Sequence, residues 1–153
     1  LNILFVCMGN ICRSPLLEGW ARQVAADAGL ALGLDSAGTG GWHAGSPPDP
    51  RAIAVAARHG VDLRGQRARQ VVDADFAAMD LILCADADNL ATLRSRQPRG
   101  SRATLALVLD WTGVAPGQDV PDPYYGDLRD FEHVNALARA AAEGLLRRVQ
   151  GRA

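Results

Sequence analysis

The sequence predicts an α/β fold in which a four-stranded parallel sheet carries helices on both faces. Short apolar runs alternate with helical stretches along the 153 residues. The first run, residues 2–6, lacks the polar alternation of a half-exposed strand and is expected to be buried on both faces, and residues 80–86 are a second candidate for a buried strand. No repeat or low-complexity tract divides the chain. Alternating strands and helices form parallel sheets with crossover helices. We therefore expect one doubly wound, Rossmann-like domain over residues 1–153.

The first half of the chain supplies two strands and two helices. Residues 2–6 are continuously apolar, as in a buried strand. Proline is tolerated in a first helical turn and glycine commonly follows a last one, so a helix is expected from Pro15 to just before Gly29. Residues 32–36 form a short second strand. After a turn-rich loop, residues 50–59 form a second helix before another glycine.

The second half continues the alternation. Residues 74–78 are a short helix, 80–86 a buried strand, 88–96 a helix and 105–109 the fourth strand. The segment 131–150 is a long helix with one apolar side. Ligands of such sheets bind beyond the carboxyl ends of the strands. The loop after the first strand therefore lies at the expected binding site.

Composition excludes several classes of function. The formal net charge of -1 lacks the basic excess of a nucleic-acid-binding protein. No apolar stretch approaches the ~18 residues of a membrane helix. Three cysteines are too few, and odd in number, for a secreted disulfide framework. We therefore expect a cytoplasmic protein with reduced thiols, which binds neither nucleic acid nor membrane.

The segment VCMGNICRSP places Cys7 and Arg13 at opposite ends of a short loop between the first strand and the first helix. Successive N–H groups in such a loop, with a helix amino terminus behind them, form a nest for an oxyanion. The fork of Arg13 binds two oxygens of a phosphate-like group. The same positive field favours the thiolate of Cys7. The pattern predicts attack of this sulfur on phosphorus and a cysteinyl-phosphate intermediate.

This reaction needs a proton donor for the leaving oxygen, and the segment VPDPYYGD offers Asp122 between two prolines. The prolines stiffen the loop and would hold the carboxyl in place, while Tyr124 and Tyr125 could wall a pocket. A nucleotide-binding P-loop needs a lysine, and the chain has none. Cys7 and Cys12 lack the second ligand pair of a zinc site. We expect no metal and no cofactor.

Two motifs, LFVCMGNICRSP near the amino terminus and DPYYGD late in the chain, make the sequence similar to the low-molecular-weight protein tyrosine phosphatases. Further matching stretches are DSAGTGGW, GSPPD, RARQV and LILCADADNL, so the resemblance covers nearly the whole chain. It implies a four-stranded parallel sheet and metal-independent hydrolysis of phosphotyrosine and other aryl phosphate monoesters.

The resemblance also implies the roles of individual residues. Cys7 would be the nucleophile, Arg13 would bind the phosphate oxygens, and Asp122 would act as general acid and then as general base. Asn10 and Ser36 would support the loop, and the hydroxyl next to Arg13 would assist the leaving sulfur. The residues implied to bind substrate are Met8, Gly9, Asn10, Ile11, Cys12, Ser14, Trp42 and Tyr124.

A redox role and a set of partners follow from the same resemblance. Cys12 would form a disulfide with Cys7 and protect it from overoxidation, whereas Cys84 is expected in the core. The implied partner is a phosphotyrosine-containing protein, such as a bacterial tyrosine kinase. The chain is expected to be a monomer or a weak dimer.

The three histidines are expected outside the catalytic site. His43 and His133 are interpreted as solvated surface residues, and His59 as a residue at the end of a helix. The chain lacks a histidine that some members of the family place between His59 and the arginines of RARQV.

Two other functions fit parts of the pattern. An arsenate reductase on the same fold would relay a disulfide through further cysteines, but no cysteine follows Cys84. A non-catalytic phosphoanion-binding or phosphoryl-carrier module would need the thiol and the nest, but it would not need Asp122 in a rigid loop. That aspartate discriminates between a carrier and an enzyme.

Overall fold

Four parallel strands form one sheet in the computed structural model, which describes residues 1–151. Residues 152 and 153 of the predicted domain lie outside the described residues. The strands are β1 (Asn2–Cys7), β2 (Gly33–Gly38), β3 (Leu81–Cys84) and β4 (Thr104–Leu107). The helices within residues 1–151 are α1 (Arg13–Asp27), α2 (Pro50–Arg58), α3 (Asp73–Ala78), α4 (Ala87–Arg96), α5 (Val108–Trp111) and α6 (Leu128–Val149). The predicted fold class is confirmed. No described helix is long and apolar enough to cross a membrane.

The two faces of β1 enter two separate apolar clusters. Ile3 and Phe5 point into a cluster that includes residues of α1, α2 and α6. Leu4 and Val6 point to the opposite side, where they join side chains from α3 and α4. Side chains alternate along a strand, so a run that is apolar at every position fits only a strand covered on both faces. The continuous apolar composition of β1 therefore requires helices on both sides of the sheet.

The strand order is β2-β1-β3-β4, so the chain changes direction across the sheet beside β1. From β1 it crosses to one neighbour, β2, and then returns to the other side to form β3. The segments that leave β1 and β3 therefore diverge and open a crevice at their carboxyl ends. The loop of residues 8–12, the β1–α1 loop, lies at this crevice. So does Asp86, two residues beyond β3.

The fourth predicted strand is too long at its carboxyl end. Val108 and Leu109 belong to α5, although their apolar side chains favoured a strand. β4 pairs with β3 only as far as Leu107, opposite Cys84. Beyond that point the carbonyl of Ala85 accepts a hydrogen bond from the amide of Val120 (2.8 Å). The amide of Ala85 donates to the carbonyl of Val6. With no partner left for β4, the two apolar residues are buried by a helical turn instead.

The first helix begins two residues earlier than predicted. Arg13 and Ser14 are its first two residues, and Pro15 is the third, where its missing N–H leaves no hydrogen bond broken. At the other end of the chain, α6 begins at Leu128 because Asp127 caps it: its carboxylate accepts from two amides of the first turn. The remaining helices end within one residue of the predicted positions.

Candidate active site

The β1–α1 loop wraps around the sulfur of Cys7, which is buried at the end of β1. The amide of Asn10 donates to Sγ at 3.3 Å, and the hydroxyl of Ser14 lies 3.0 Å from the same atom. Within residues 1–151, the amides of Gly9, Ile11 and Cys12 donate to no protein acceptor. Unpaired amides ahead of a helix bind anions well. The loop can therefore stabilise negative charge on the sulfur and on a phosphoryl group beside it.

Asn10 fixes the shape of the β1–α1 loop. It has φ +58°, the left-handed region that asparagine tolerates better than most residues. Its Nδ2 donates to Ser14 Oγ at 2.8 Å and to Ser36 Oγ at 3.0 Å. Its Oδ1 accepts from the amide of Arg69 at 3.0 Å. The side chain thus ties the loop to α1, β2 and the segment before α3.

A buried glutamate, which the sequence analysis did not single out, extends this network. Ser36 Oγ donates to Glu18 Oε1 at 2.8 Å, and Glu18 is only 5 % exposed. Arg22, one helical turn further along α1, donates to Glu18 Oε2. The carboxylate therefore fixes the direction of the Ser36 hydroxyl, which in turn leaves its lone pairs for Asn10. An acidic residue within the apolar stretch PLLEGWA is the signal in the sequence.

β2 brings its last residues close to the β1–α1 loop. A Cβ on Gly38 would lie 2.7 Å from the carbonyl oxygen of Met8, so only glycine allows this approach. The amides of Thr39 and Gly40 then donate to the carbonyls of Cys7 and Met8, at 2.9 and 3.0 Å. This contact explains the first glycine of the run in DSAGTGGW, and it places the following turn over the site.

Arg13 is buried beneath the crevice and 3 % exposed. Its Nη1 donates to Asp86 Oδ2 at 2.7 Å and to the carbonyl of Val120 at 3.1 Å. Burial opposes the charged form, but the sulfur of Cys7 and the hydrogen-bonded Asp86 raise the pKa of Arg13 above its usual value. The guanidinium is therefore charged and held in one plane, as bidentate binding of a phosphoryl group requires.

Asp86 is a site residue that sequence reasoning missed. Its Oδ1 caps α4 by accepting from the amide of Asn89 at 2.7 Å, which leaves Oδ2 for Arg13. The predicted third strand ended at this residue, and its side chain received no role. The strand order would have indicated this role. Because β3 lies beside β1, an acidic residue just beyond β3 faces the β1–α1 loop.

Asp122 lies across the cavity from the sulfur, on the loop of residues 120–127. Its Oδ2 is 3.8 Å from Arg13 Nη2, and its Oδ1 accepts from the amide of Tyr124 at 3.1 Å. The side chain is 39 % exposed, so it can exchange protons with solvent. The start of this loop is anchored where Val120 bonds to Ala85 and to Arg13.

These parts enclose a cavity of about 220 Å³ with an aromatic rim. Trp42, Tyr124 and Tyr125 form the rim, and the two tyrosines pack edge to face with centroids 5.0 Å apart. The other lining residues are Cys7, Met8, Gly9, Ile11, Cys12, Arg13, His43 and Asp122. A planar ring fits between such walls.

Two of the expected substrate-binding residues lie outside the cavity, and one histidine lies inside it. Asn10 and Ser14 are buried and do not line the cavity; the amide of Asn10 and the hydroxyl of Ser14 contact the sulfur of Cys7 instead. His43 was expected on the solvated surface, but it is only partly exposed and packs on Gly9, where a Cβ would lie 3.0 Å from its Cδ2. The turn after β2 folds over the site, a long-range contact that local sequence does not encode.

The other two histidines are placed as expected. His133 is exposed on α6. His59 caps the end of α2, where its ring lies 3.4 Å from Glu132. No group of three or more histidine, cysteine or acidic side chains that could bind a metal ion is found within residues 1–151.

The other two cysteines differ from Cys7 in their surroundings. Burial raises the pKa of Cys12 far above its ordinary value, and the nearby carboxylate of Asp49 raises it further. Burial likewise raises the pKa of Cys84 to about 12. All three thiols are free.

A buried sulfur in an amide nest, an arginine fork beneath it and a carboxyl group opposite define the class of cysteine-dependent phosphatases. Comparison with known proteins gives the family. The chain belongs to the low-molecular-weight phosphotyrosine protein phosphatases, whose family model matches residues 2–153. It is therefore an enzyme of the protein-tyrosine-phosphatase type, as the motifs predicted.

Individual relatives match this chain over nearly their whole length. A low-molecular-weight protein-tyrosine-phosphatase of Streptomyces coelicolor is 43% identical over 161 residues, covering 99% of this chain and 98% of the relative. YfkJ of Bacillus subtilis, of the same description, is 40% identical over 152 residues, with 98% and 96% covered. The crystal structure of a protein tyrosine phosphatase from Entamoeba histolytica superposes with a TM-score of 0.92 at 33% identity, covering 99% of this chain and 97% of that one.

Proposed function

We propose that this phosphatase hydrolyses phosphotyrosine with Cys7 as nucleophile, Arg13 as phosphate-binding residue and Asp122 as general acid and base, within one domain over residues 1–153. The observation that carries the proposal is the position of Cys7 Sγ, 3.0 Å from Ser14 Oγ and 3.3 Å from the amide of Asn10. Both groups can donate a hydrogen bond to the sulfur, and such donors stabilise negative charge on it.

In the first step the thiolate attacks phosphorus, an S–P bond forms and the bond from phosphorus to the tyrosyl oxygen breaks. Asp122 gives its proton to that oxygen, so tyrosine leaves as a neutral phenol. The oxygens of the transferred group meet the guanidinium of Arg13 and the free amides of the β1–α1 loop, which stabilise the charge of the transition state.

In the second step water attacks the cysteinyl-phosphate and the S–P bond breaks. Asp122, now ionised, takes a proton from the water. The electron pair of the S–P bond returns to Cys7, where the hydroxyl of Ser14 stabilises the thiolate that forms. Phosphate leaves, and the enzyme regains its starting state without a metal or other cofactor.

The aromatic rim supports an aryl substrate. Trp42 and Tyr124 stand beside the entrance, where they can hold a phenyl ring while its phosphate reaches Cys7. A phosphoserine offers no ring to these walls. We therefore expect phosphotyrosine to be preferred in kcat/KM.

A comparison of phosphotyrosine, phosphoserine and arsenate tests the proposal, with chelator present in every assay. Phosphotyrosine should turn over fastest, and Cys7→Ser should abolish that turnover while the variant still binds inorganic phosphate. If Cys7→Ser retained wild-type activity, Cys7 could not be the nucleophile. Arsenate reduction with phosphotyrosine left intact would favour the reductase, and phosphate binding without turnover of any substrate would favour a carrier.

We propose that Cys12 protects Cys7 by a reversible disulfide. Peroxide oxidises the thiolate of Cys7 to a sulfenic acid, and the thiol of Cys12 then displaces water to form the S–S bond. Both residues line the same cavity. Mass spectrometry after peroxide treatment should find this disulfide, and a thiol reductant should restore activity. Sulfonic acid at Cys7 as the only product would contradict the protective role.

We propose that the substrate is a phosphotyrosine-containing protein of the cytoplasm, such as a bacterial tyrosine kinase. Three free, buried thiols support a reducing compartment. Exposed Trp42 and Tyr124 beside the cavity can mediate weak self-association, so we expect a monomer in equilibrium with a weak dimer. Sedimentation across a range of concentrations measures that equilibrium.

A further inference from the structure

The segment before α2 is bonded directly to the β1–α1 loop. The amide of Asp49 donates to the carbonyl of Ile11 at 2.8 Å. Its carboxylate is 9 % exposed and caps α2 by accepting from the amide of Arg51 at 2.8 Å. Asp49 is therefore fixed relative to the loop that surrounds the reacting sulfur.

Arg51 connects this fixed carboxylate to the loop that carries the general acid. Its Nε and Nη2 hold the two oxygens of Asp49 at 3.0 and 2.9 Å. Nη2 also donates to the carbonyl of Tyr124 at 3.0 Å, and Nη1 to that of Gly126 at 3.4 Å. The guanidinium lies 4.5 Å above the ring of Phe131, which fixes its plane from one side.

Arg51 holds the residue whose amide orients the acid. The carbonyl of Tyr124 accepts from Arg51, and the amide of the same residue donates to Asp122 Oδ1. The start of the loop has its own anchor at Val120, but that anchor is on the other side of Asp122. Without Arg51, the half of the loop that contacts the Asp122 carboxylate loses its two hydrogen bonds from a guanidinium, at Tyr124 and Gly126.

We propose that Arg51, oriented by Asp49, is a positioning residue for general acid catalysis, because it sets the place of Asp122 relative to the β1–α1 loop. The inference rests on the proposed role of Asp122. Arg51 is absent from the residues that line the cavity, so it acts through the loop and not by contact with substrate. Arg51 should affect the rate most when the leaving oxygen needs a proton, and least when the leaving group departs without one.

The chain contains a matched control for Arg51. Arg64 makes the same set of contacts with Asp62, from its amide, Nε and Nη2, at 2.9, 3.0 and 3.1 Å. This second pair is exposed and its arginine side chain bonds to no other residue within residues 1–151. Arg64→Ala therefore removes an Asp-x-Arg pair of equal geometry without touching the loop of residues 120–127.

The test is kcat/KM for a series of aryl phosphates whose leaving phenols differ in pKa. Arg51→Ala should lower kcat/KM for phenyl phosphate roughly 10- to 100-fold and for p-nitrophenyl phosphate much less, because a shift of about 1 Å in a catalytic group costs on that order. Arg51→Lys keeps the charge but cannot reach all four acceptors at once, so its loss should be intermediate. In Arg64→Ala, kcat/KM should depend on the pKa of the leaving phenol as it does in the wild type. Equal losses across the series, or the same change in Arg64→Ala, would overturn the inference.

Combination with Asp122→Asn separates this inference from the function on which it rests. Asp122→Asn should itself steepen the leaving-group dependence, and Arg51→Ala should add no further steepening in that background. A further steepening would show that Arg51 acts on some other group and would refute the inference alone. No steepening in Asp122→Asn would refute the acid assignment and the inference together. Urea unfolding of each variant reports any loss of fold, and Arg51→Lys supplies the result if Arg51→Ala does not fold.

Discussion

The guanidinium of Arg13 lies 2.7 Å from the carboxylate of Asp86. Arg13 follows β1, whereas Asp86 follows the neighbouring strand β3, so the pair spans the crevice between the two strands. The Asp86 side chain is 21% exposed, whereas that of Arg13 is almost completely buried. A buried guanidinium without a partner is costly, and a partner on one edge also fixes the plane of the fork. Asp86 therefore leaves the opposite edge of Arg13 for phosphate.

Asp86→Asn should lower kcat/KM for p-nitrophenyl phosphate roughly 10- to 100-fold, because the arginine fork loses its alignment. The amide oxygen can still cap α4 through Asn89, so the Nδ2 group would face Arg13 and repel it. Steady-state kinetics and urea unfolding measure the two effects. An unchanged kcat/KM with an unchanged fold would show that Val120 alone orients Arg13.

Asn10 supplies both a backbone conformation and three side-chain hydrogen bonds, and two substitutions separate them. Asn10→Gly keeps φ +58° accessible but loses the bonds to Ser14, Ser36 and Arg69. Asn10→Ala loses the bonds and adds strain of roughly 1 kcal/mol. Both should lower kcat, and Asn10→Ala should unfold at lower urea. If Asn10→Gly retained wild-type kcat, the conformation of the loop would matter and the network would not.

The sequence alone predicts the parts of this site that are close together in the chain. Cys7, Arg13 and the loop between them form one strand–loop–helix unit, so local pattern and helix chemistry suffice. Asp122 is recognisable because two prolines stiffen its loop. The order of buried strands and helices likewise follows from composition and turn residues.

Residues that act across the fold could not be placed in this way. Asp86, Glu18 and Arg51 each look like an ordinary helix cap or helix residue until strand order and loop packing bring them to the site. The same limit applies to α5, because the length of β4 depends on where its partner β3 ends. His43 was misplaced for the same reason, since only the close approach at Gly38 folds its turn over the cavity.

The three thiols should differ sharply in their reaction with iodoacetamide. The thiolate is the nucleophile in alkylation. Burial raises the pKa of Cys84 to about 12 and that of Cys12 further, so both remain protonated at neutral pH. Cys7 should be modified first at pH 6 to 7, inorganic phosphate should slow the reaction, and Cys7→Ser should take up almost no label. Peptide mass mapping that finds Cys12 labelled as fast as Cys7 would contradict this assignment.

Asp49 should reveal its dependence on Arg51 through its titration. Burial favours the neutral acid, but the hydrogen bonds from Arg51 hold the pKa of Asp49 below 3.8. The stability that this carboxylate contributes is therefore complete above pH 3.8 and is lost as the pH falls through the lower folded-state pKa. Arg51→Ala removes the side-chain donors and leaves the burial, so the pKa of Asp49 should rise, as carbon-detected NMR of the carboxyl group can measure. Arg64→Ala should leave it unchanged. An unshifted Asp49 in Arg51→Ala would mean that the backbone cap alone holds the carboxylate, and the link from the β1–α1 loop to Asp122 would then run through a different contact.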